Sequence, residues 1–265
     1  MVCKRGVAHM TRFVSRVLRL DSFIFSRLLL CSKQSKDEKE RTWKMKENKN
    51  NTLFAGGIFI ILFIFWTILV RIVDVQPIGP NGTNVGFAAW NGWFHELTGV
   101  HMELYTITDW LGLIPVFVCM IFAGVGLKQW ISRRNLFKVD YDILILGIYY
   151  AAVILNYLVF EMIPINYRPV LIEGRMEVSY PSSTTLLVLC VMPTLIEQTM
   201  RRMKSKKLKQ AIMYVTVWFS ACMVLGRLVS GVHWFTDIVG AIILSTGLFL
   251  IYKGAILFVK KDEHE

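Results

Sequence analysis

Four stretches of this 265-residue chain, Leu53–Val70, Leu111–Leu127, Ile143–Phe160 and Phe235–Tyr252, run for 17 or 18 residues without a Lys, Arg or Glu. Between them they hold one acid, Asp237. A helix crossing the hydrocarbon layer of a bilayer needs roughly 20 mostly apolar residues, so each run reads as a span. Two shorter runs, Thr184–Ile196 and Ala211–Leu225, become spans once helix beginning at Ser182 and ending near Met200 is included. Six spans are therefore expected, the fourth on the shortest run, and the fold class is all-α: a polytopic membrane protein. Composition agrees, with 54% hydrophobic and 18% charged residues, where a soluble domain carries about a quarter charged. A soluble enzyme, a disordered tail protein and a disulfide scaffold are excluded. The five cysteines are scattered, Cys119, Cys190 and Cys222 lie inside apolar runs, and no zinc-ligand spacing occurs.

The net charge of +11 is placed unevenly. Of the 30 basic residues, 13 fall in residues 1–50, four between Lys128 and Lys138, six between Arg201 and Lys209, and three after Tyr252. The alternate connections are almost bare, so 26 of 30 lie on one side. The positive-inside rule then puts both termini in the cytoplasm and sends Arg168 and Arg227 to the outer face of a cell membrane. Basic clusters so placed are topology determinants attracted to anionic membrane lipids, and no nucleic-acid partner is expected.

Residues 1–50 read as a basic cytoplasmic segment, either disordered or dispensable. Within it Arg12, Arg16 and Arg19 interleave with Phe13, Val17, Leu18 and Leu20 as in an interfacial helix, and the 33–51 stretch is a charge-dense linker. Phe23–Cys31 contains Arg27, unlike a secretory signal. Met45 stands just before the first span, so residues 1–44 are expected to be dispensable. Residues 51–260 form one membrane domain without an internal repeat, and 261–265 a short cytoplasmic tail. Asp74–Asp109 is the long non-spanning insert: a cluster of turn formers from Gln76 to Gly82, then an aromatic segment, Val85 to Leu97, expected to lie as a helix along the interface.

Ionisable residues are costly at a bilayer edge and tend to mark function. Here Glu161, Arg168, Glu173, Arg175, Glu177, Arg227, His233 and Asp237 gather on one predicted face. His233 and Asp237 are four apart, which puts them on one face of a helix. There the carboxylate accepts a hydrogen bond from one ring nitrogen and leaves the other bare for nucleophilic attack. The planar forks of Arg227 and Arg168 suit phosphate oxygens. Ser182, Ser183 and Thr184 open the fourth span, and a helix N-terminus of small hydroxyl residues offers backbone amides to an anion. Together these describe a site for a phosphate group.

The order Arg168-Pro169, Pro181-Ser182, then Arg227, His233 and Asp237 resembles the three signature motifs of the type 2 phosphatidic acid phosphatase superfamily. That family shares the helical bundle of the vanadium haloperoxidases. The resemblance spans about Leu53 to Val259. It implies an outward-facing active site in which His233 forms a phospho-histidine, Asp237 orients it, and Arg168, Ser182 and Arg227 bind the phosphate. It further implies hydrolysis of lipid phosphates or lipid pyrophosphates, undecaprenyl pyrophosphate among them, with no metal and no cofactor.

Two positions depart from the pattern. Glu161 stands where the family has lysine, and Thr184 where it has the histidine that protonates the leaving group. Loss of such an acid typically costs about 100- to 10,000-fold, and a carboxylate at 161 repels a dianion unless protonated or turned away. Three repairs are open: Glu161 as a substitute acid, His95 or His101 swinging in from the insert, or a substrate that needs no acid. A leaving phosphate departs unprotonated where an alkoxide does not, so lipid pyrophosphates would be preferred to phosphatidic acid. The expectation is a membrane lipid phosphatase with a phosphorylated lipid as partner. The alternative is a catalytically silent member that binds a phosphorylated lipid or a protein.

Overall fold

Among the described residues six helices are long and apolar enough to cross a membrane, the number expected from the apolar runs. The computed structural model describes residues 50–259. Its helices are α1 (Asn50–Ile72), α2 (Ala88–Thr98), α3 (Met102–Leu111), α4 (Leu113–Arg133), α5 (Tyr141–Met162), α6 (Ser183–Arg202), α7 (Lys206–Val229) and α8 (Phe235–Val259). Among the described residues the only β pairing is three isolated bridges in connections. Asn50, placed with the basic segment by the sequence, already belongs to α1. The expectations for residues 1–49, and the tail at 261–265, lie outside the described residues.

The six candidate spans divide into two classes. In the apolar windows of α6 and α8, 56% and 50% of residues are buried, against 17–22% in the other four. These two helices are the inner pair, and the shared core packs Leu146, Tyr149 and Val153 of α5 with Leu186, Val188 and Val191 of α6 and Ala241 and Leu244 of α8. The outer helices turn large apolar side chains such as Ile61, Phe117, Ile148 and Trp218 outward. In water so broad an apolar surface would drive association; in a bilayer it is what lipid tails require. Helices α1 and α8 approach closely along a small-residue seam, where a Cβ on Gly247 or Gly254 would press on Ile60 or Leu53.

The second span departs from its expected start. Helix continues from Met102 to Arg133 with a one-residue break at Gly112, which itself keeps right-handed helical angles. The insert read as Asp74–Asp109 therefore ends before Met102, because Glu103 and Asp109 interrupt the apolar run without interrupting the helix. The aromatic segment is helical as expected, as α2, and Asp74 accepts the Ala89 amide at 2.7 Å at its N-terminus. That bond, then one from Gln76, holds the Asp74 carboxyl below its usual range. Buried Asn91 ties α2 to the start of α8 through the Thr236 hydroxyl at 3.0 Å.

At the far end of the bundle Arg202 of α6 meets Asp140 at 3.1 Å and both oxygens of Asp142 at 2.7 and 2.8 Å. Burial raises the Asp140 carboxyl, but hydrogen bonds from Arg133, Gln129 and Arg202 outweigh it and keep it below its usual range. This fastens α4, α5 and α6 where the basic connections lie and leaves the other end of the bundle to the site.

Candidate active site

Three connections meet at that other end. Between α5 and α6 the chain doubles back, with bridges Tyr167 to Val178 and Ile172 to Arg175, and a turn whose Glu173 and Gly174 have φ of 50° and 75°. This excursion turns Asn166, Arg168 and Ser179 inward, all buried. The turn between α7 and α8 holds Gly231 at φ 70°, its Cα so close to the backbone of Gly99 that a Cβ there would lie 1.9 Å from the carbonyl oxygen. Trp234 then docks on the excursion, its indole N–H donating to the Tyr167 carbonyl at 2.8 Å.

His233 sits in this turn, ahead of the first residue of α8, and is 3% exposed. The expected shared helix face with Asp237 is therefore corrected, and so is the expected hydrogen bond. Nδ1 of His233 lies 3.2 Å from the backbone carbonyl of Ser179 and 3.7 Å from Oδ2 of Asp237. Asp237 occupies the first turn of α8, where the helix dipole favours a carboxylate. There it accepts the Trp234 amide at 2.9 Å and the Asn166 side-chain amide at 3.3 Å. Its carboxylate thus spans helix start and excursion, fixing the turn that carries His233. A carbonyl is an acceptor only, so Nδ1 carries the proton and Nε2 keeps its lone pair. Burial first, then the charges of Arg168 and Arg227, push the imidazole well below its usual range and keep it neutral.

The guanidiniums of Arg227 and Arg168 lie 4.8 and 5.5 Å from the ring centre of Tyr105 on α3, so one aromatic ring supports both. Arg227, only 1% exposed, reaches Asp109 at 2.9 Å and the Thr184 hydroxyl with the same nitrogen, Nη2. Arg168 faces Glu177 at 3.0 Å, without the alignment a hydrogen bond requires. Each arginine thus has a partly exposed carboxylate as its counter-ion. Even so, Nε and Nη1 of Arg168, Nε of Arg227, Nε2 of His233 and Oγ of Ser179 are buried without a hydrogen-bond partner in the protein. An unmet buried polar atom costs about 1–3 kcal/mol. Here such atoms concentrate at one place: three guanidinium N–H donors beside one imidazole lone pair.

The start of α6 completes the floor. Ser182, fully buried, gives its amide to the Asp237 carbonyl at 3.2 Å and its hydroxyl to Thr185 at 3.0 Å. Within the protein that hydroxyl is committed, so the α6 terminus presents the amides of Ser183, Thr184 and Thr185, which have no intrahelical acceptor. Thr184, at the family's histidine position, bonds Arg227 instead of facing outward. Glu161 stands exposed at the end of α5, lining a narrow cleft with Tyr157, Tyr180 and Ser183 and making no ion pair with Arg168. His95 packs its ring 5.6 Å from Trp234, and burial lowers its proton affinity. His101 is exposed, its ring nitrogen 2.9 Å from the Thr98 carbonyl. Sequence reasoning did not single out Tyr105, Asp109, Asn166 or Ser179. Asp109 alone carried a signal, an acid abutting an apolar run.

A cleft of about 360 Å³ leaves the site sideways between α4, α5 and α6. Asp109, Ser183 and Thr184 stand at its inner end and Leu113, Ile154 and Leu187 along its walls. Through Val116 and Ile154 it adjoins a larger, almost wholly apolar groove of about 630 Å³ between α4 and α5. Among the described residues no three His, Cys, Asp or Glu side chains converge to hold a metal ion.

The sequence profile of the PAP2 superfamily matches residues 113–259, more than half of the chain and all of the segments carrying His233, Arg227, Arg168 and the α6 terminus. Among solved structures, the fold is similar to one described as the first transmembrane PAP2 type phosphatidylglycerolphosphate phosphatase, from Bacillus subtilis. The TM-score is 0.55 and the identity 16%, over 76% of this chain and 95% of that one. No curated protein matches the sequence.

Proposed function

The chain belongs to the PAP2 superfamily, and from that premise we propose that it hydrolyses lipid phosphates or lipid pyrophosphates through a phospho-histidine at His233. The observation that carries this reading is the buried constellation of unpaired guanidinium N–H groups beside an unpaired imidazole nitrogen. A phosphoryl group answers both: its oxygens accept from Arg168, Arg227 and the amides at the start of α6, and its phosphorus is the electrophile for Nε2. Ser182 lies directly beneath those amides and helps hold them in place. Attack needs a neutral imidazole with its second nitrogen anchored. The Ser179 carbonyl supplies the anchor and Asp237 supports the turn. The developing negative charge of the transition state falls among fixed donors that need no reorganisation.

The sideways cleft supports a lipid as the carrier of that phosphate, since its walls are apolar and its inner end polar. A phosphatidylglycerolphosphate, the substrate named for the Bacillus subtilis structure, falls within this class. The distribution of basic residues supports a cell-membrane protein with cytoplasmic termini and the site on the outer face. One observation favours the second reading, a silent lipid binder: Thr184 carries no titratable group where the family has its acid.

Phosphate release by the purified protein in detergent, from undecaprenyl pyrophosphate, lysophosphatidic acid and phosphatidic acid, separates the two. Release that vanishes in His233→Ala establishes the phosphatase. Release indistinguishable from that variant on all three substrates leaves the binder.

A further inference from the structure

Resting on the phosphatase reading above, we propose that Asp109 is the proton donor to the leaving oxygen, in the role for which Thr184 has no titratable group. Three observations place it there. First, Asp109 and Thr184 meet the same guanidinium nitrogen, Nη2 of Arg227, so the carboxylate lies beside the position of the family's acid. The packing of Gly112 holds it there: a Cβ on Gly112 would sit 3.4 Å from the Thr184 methyl, so the α3–α4 junction lies directly on the start of α6.

Second, Asp109, Ser183 and Thr184 are the residues that the polar site and the sideways cleft share. A lipid phosphate held with its phosphoryl group on Arg227 and its chain in the cleft has its bridging oxygen at that junction. Third, Arg227 pairs with Asp109 at 2.9 Å and its charge also bears on His233, so one guanidinium is common to both reacting groups. Displacement at phosphorus is in line, so the assignment requires Asp109 opposite Nε2 across the bound phosphorus. Of the other acids proposed from sequence, Glu161 lines an adjoining cleft that shares Tyr157, Ser183 and Leu186 with this one but does not line this one itself, and His101 is turned to Thr98.

The proton and electron count closes. A bound phosphate takes the place of Asp109 on Nη2, and the cycle begins with a proton on Asp109. The lone pair of Nε2 forms the N–P bond while the P–O bond breaks, and the departing oxygen takes the Asp109 proton and leaves as an alcohol. Asp109, now a carboxylate and 58% exposed to solvent, takes a proton from a water whose oxygen attacks phosphorus. The N–P bond breaks, orthophosphate forms, and the imidazole lone pair is restored. The Nδ1 proton stays on Nδ1, donated to the Ser179 carbonyl, throughout.

The test compares Asp109→Asn with the unaltered protein on lysophosphatidic acid, whose alkoxide needs a proton, and on 4-nitrophenyl phosphate, whose phenolate does not. The variant keeps an oxygen for Arg227. The expected result, read in the first turnover so that only the step forming the N–P bond is compared, is a loss of about 100- to 10,000-fold on the lipid against a much smaller loss on the aryl ester, and Asp109→Glu recovering lipid turnover above the Asn variant. Equal losses on both substrates, or on neither, would overturn the assignment, as would a Glu variant no better than Asn. Those outcomes leave the phosphatase reading standing, whereas a parent protein releasing no phosphate from either substrate overturns both.

Discussion

The carbonyl oxygen of Ser179 lies 3.2 Å from Nδ1 of His233, nearer than any oxygen of Asp237. A main-chain atom therefore sets the imidazole tautomer, and it does so from a segment more than fifty residues away in sequence. Asp237 acts a step further out, on the amide of Trp234 and the side chain of Asn166.

This division predicts a gap between two substitutions. His233→Ala removes the proposed nucleophile and should leave no measurable turnover. Asp237→Asn keeps an oxygen for the Trp234 amide and leaves the Ser179 carbonyl in place, so it should cost about 10- to 100-fold. A carboxylate that alone held the tautomer would cost about 10,000-fold. Single-turnover phosphate release from the two variants distinguishes these magnitudes.

The buried neutral imidazole also makes stability depend on pH. The folded-state value of His233 is depressed, so the unfolded chain binds the proton first as pH falls through about 6.5. Stability is therefore complete above that point and declines below it, by at most about 1.4 kcal/mol per pH unit for this group. Melting temperatures in detergent between pH 5 and 8 should fall toward acid, and the slope should lessen in His233→Asn. Equal slopes in the two proteins would count against a neutral buried His233.

Arg227 holds its fork against Tyr105, Thr184 and Asp109, and a lysine ammonium cannot reproduce two parallel donors. Arg227→Lys should weaken binding of orthovanadate, a phosphate mimic, by about 10-fold or more, the worth of one charge-assisted hydrogen bond. Inhibition titrations or calorimetry with vanadate would check this, and unchanged affinity would remove Arg227 from the anion site.

Two glycines with positive φ make a paired prediction. Gly174 lies in open space, so Gly174→Ala meets only the left-handed backbone cost of about 1–2 kcal/mol. Gly231→Ala adds a collision with the Gly99 carbonyl and displaces the turn two residues before His233. Thermal unfolding should show the larger loss for Gly231→Ala, and its turnover should fall further than the folded fraction accounts for.

The helices on long apolar runs, α1, α4, α5 and α8, were the most legible part of the sequence, because 17 or 18 residues without Lys, Arg or Glu announce a span. The inner helix α6 was not equally plain. Half of the apolar windows of α6 and α8 face protein, so Thr184, Thr185, Thr194 and Gln198 are accommodated in α6 and shorten the run that announces it. The motif residues were visible by type and order, but their partners were not. Ser179 contributes a carbonyl, which every residue has, and Tyr105 sits among other aromatics with nothing to mark it. The helical spacing of His233 and Asp237 suggested a direct bond, whereas the chain enters α8 only after His233. Asp109 is a single acid at the edge of an apolar run, and its meaning depends on the packing of Gly112 against Thr184, which no local pattern declares.

The sideways cleft between α4, α5 and α6 changes what concentration means for this protein. A substrate that arrives through it diffuses in two dimensions and never crosses water, so occupancy of the site follows its mole fraction among the surrounding lipids. Adding inert detergent or lipid at fixed substrate then acts as a diluent and slows turnover, while enlarging the aqueous volume around the same membranes leaves the rate alone.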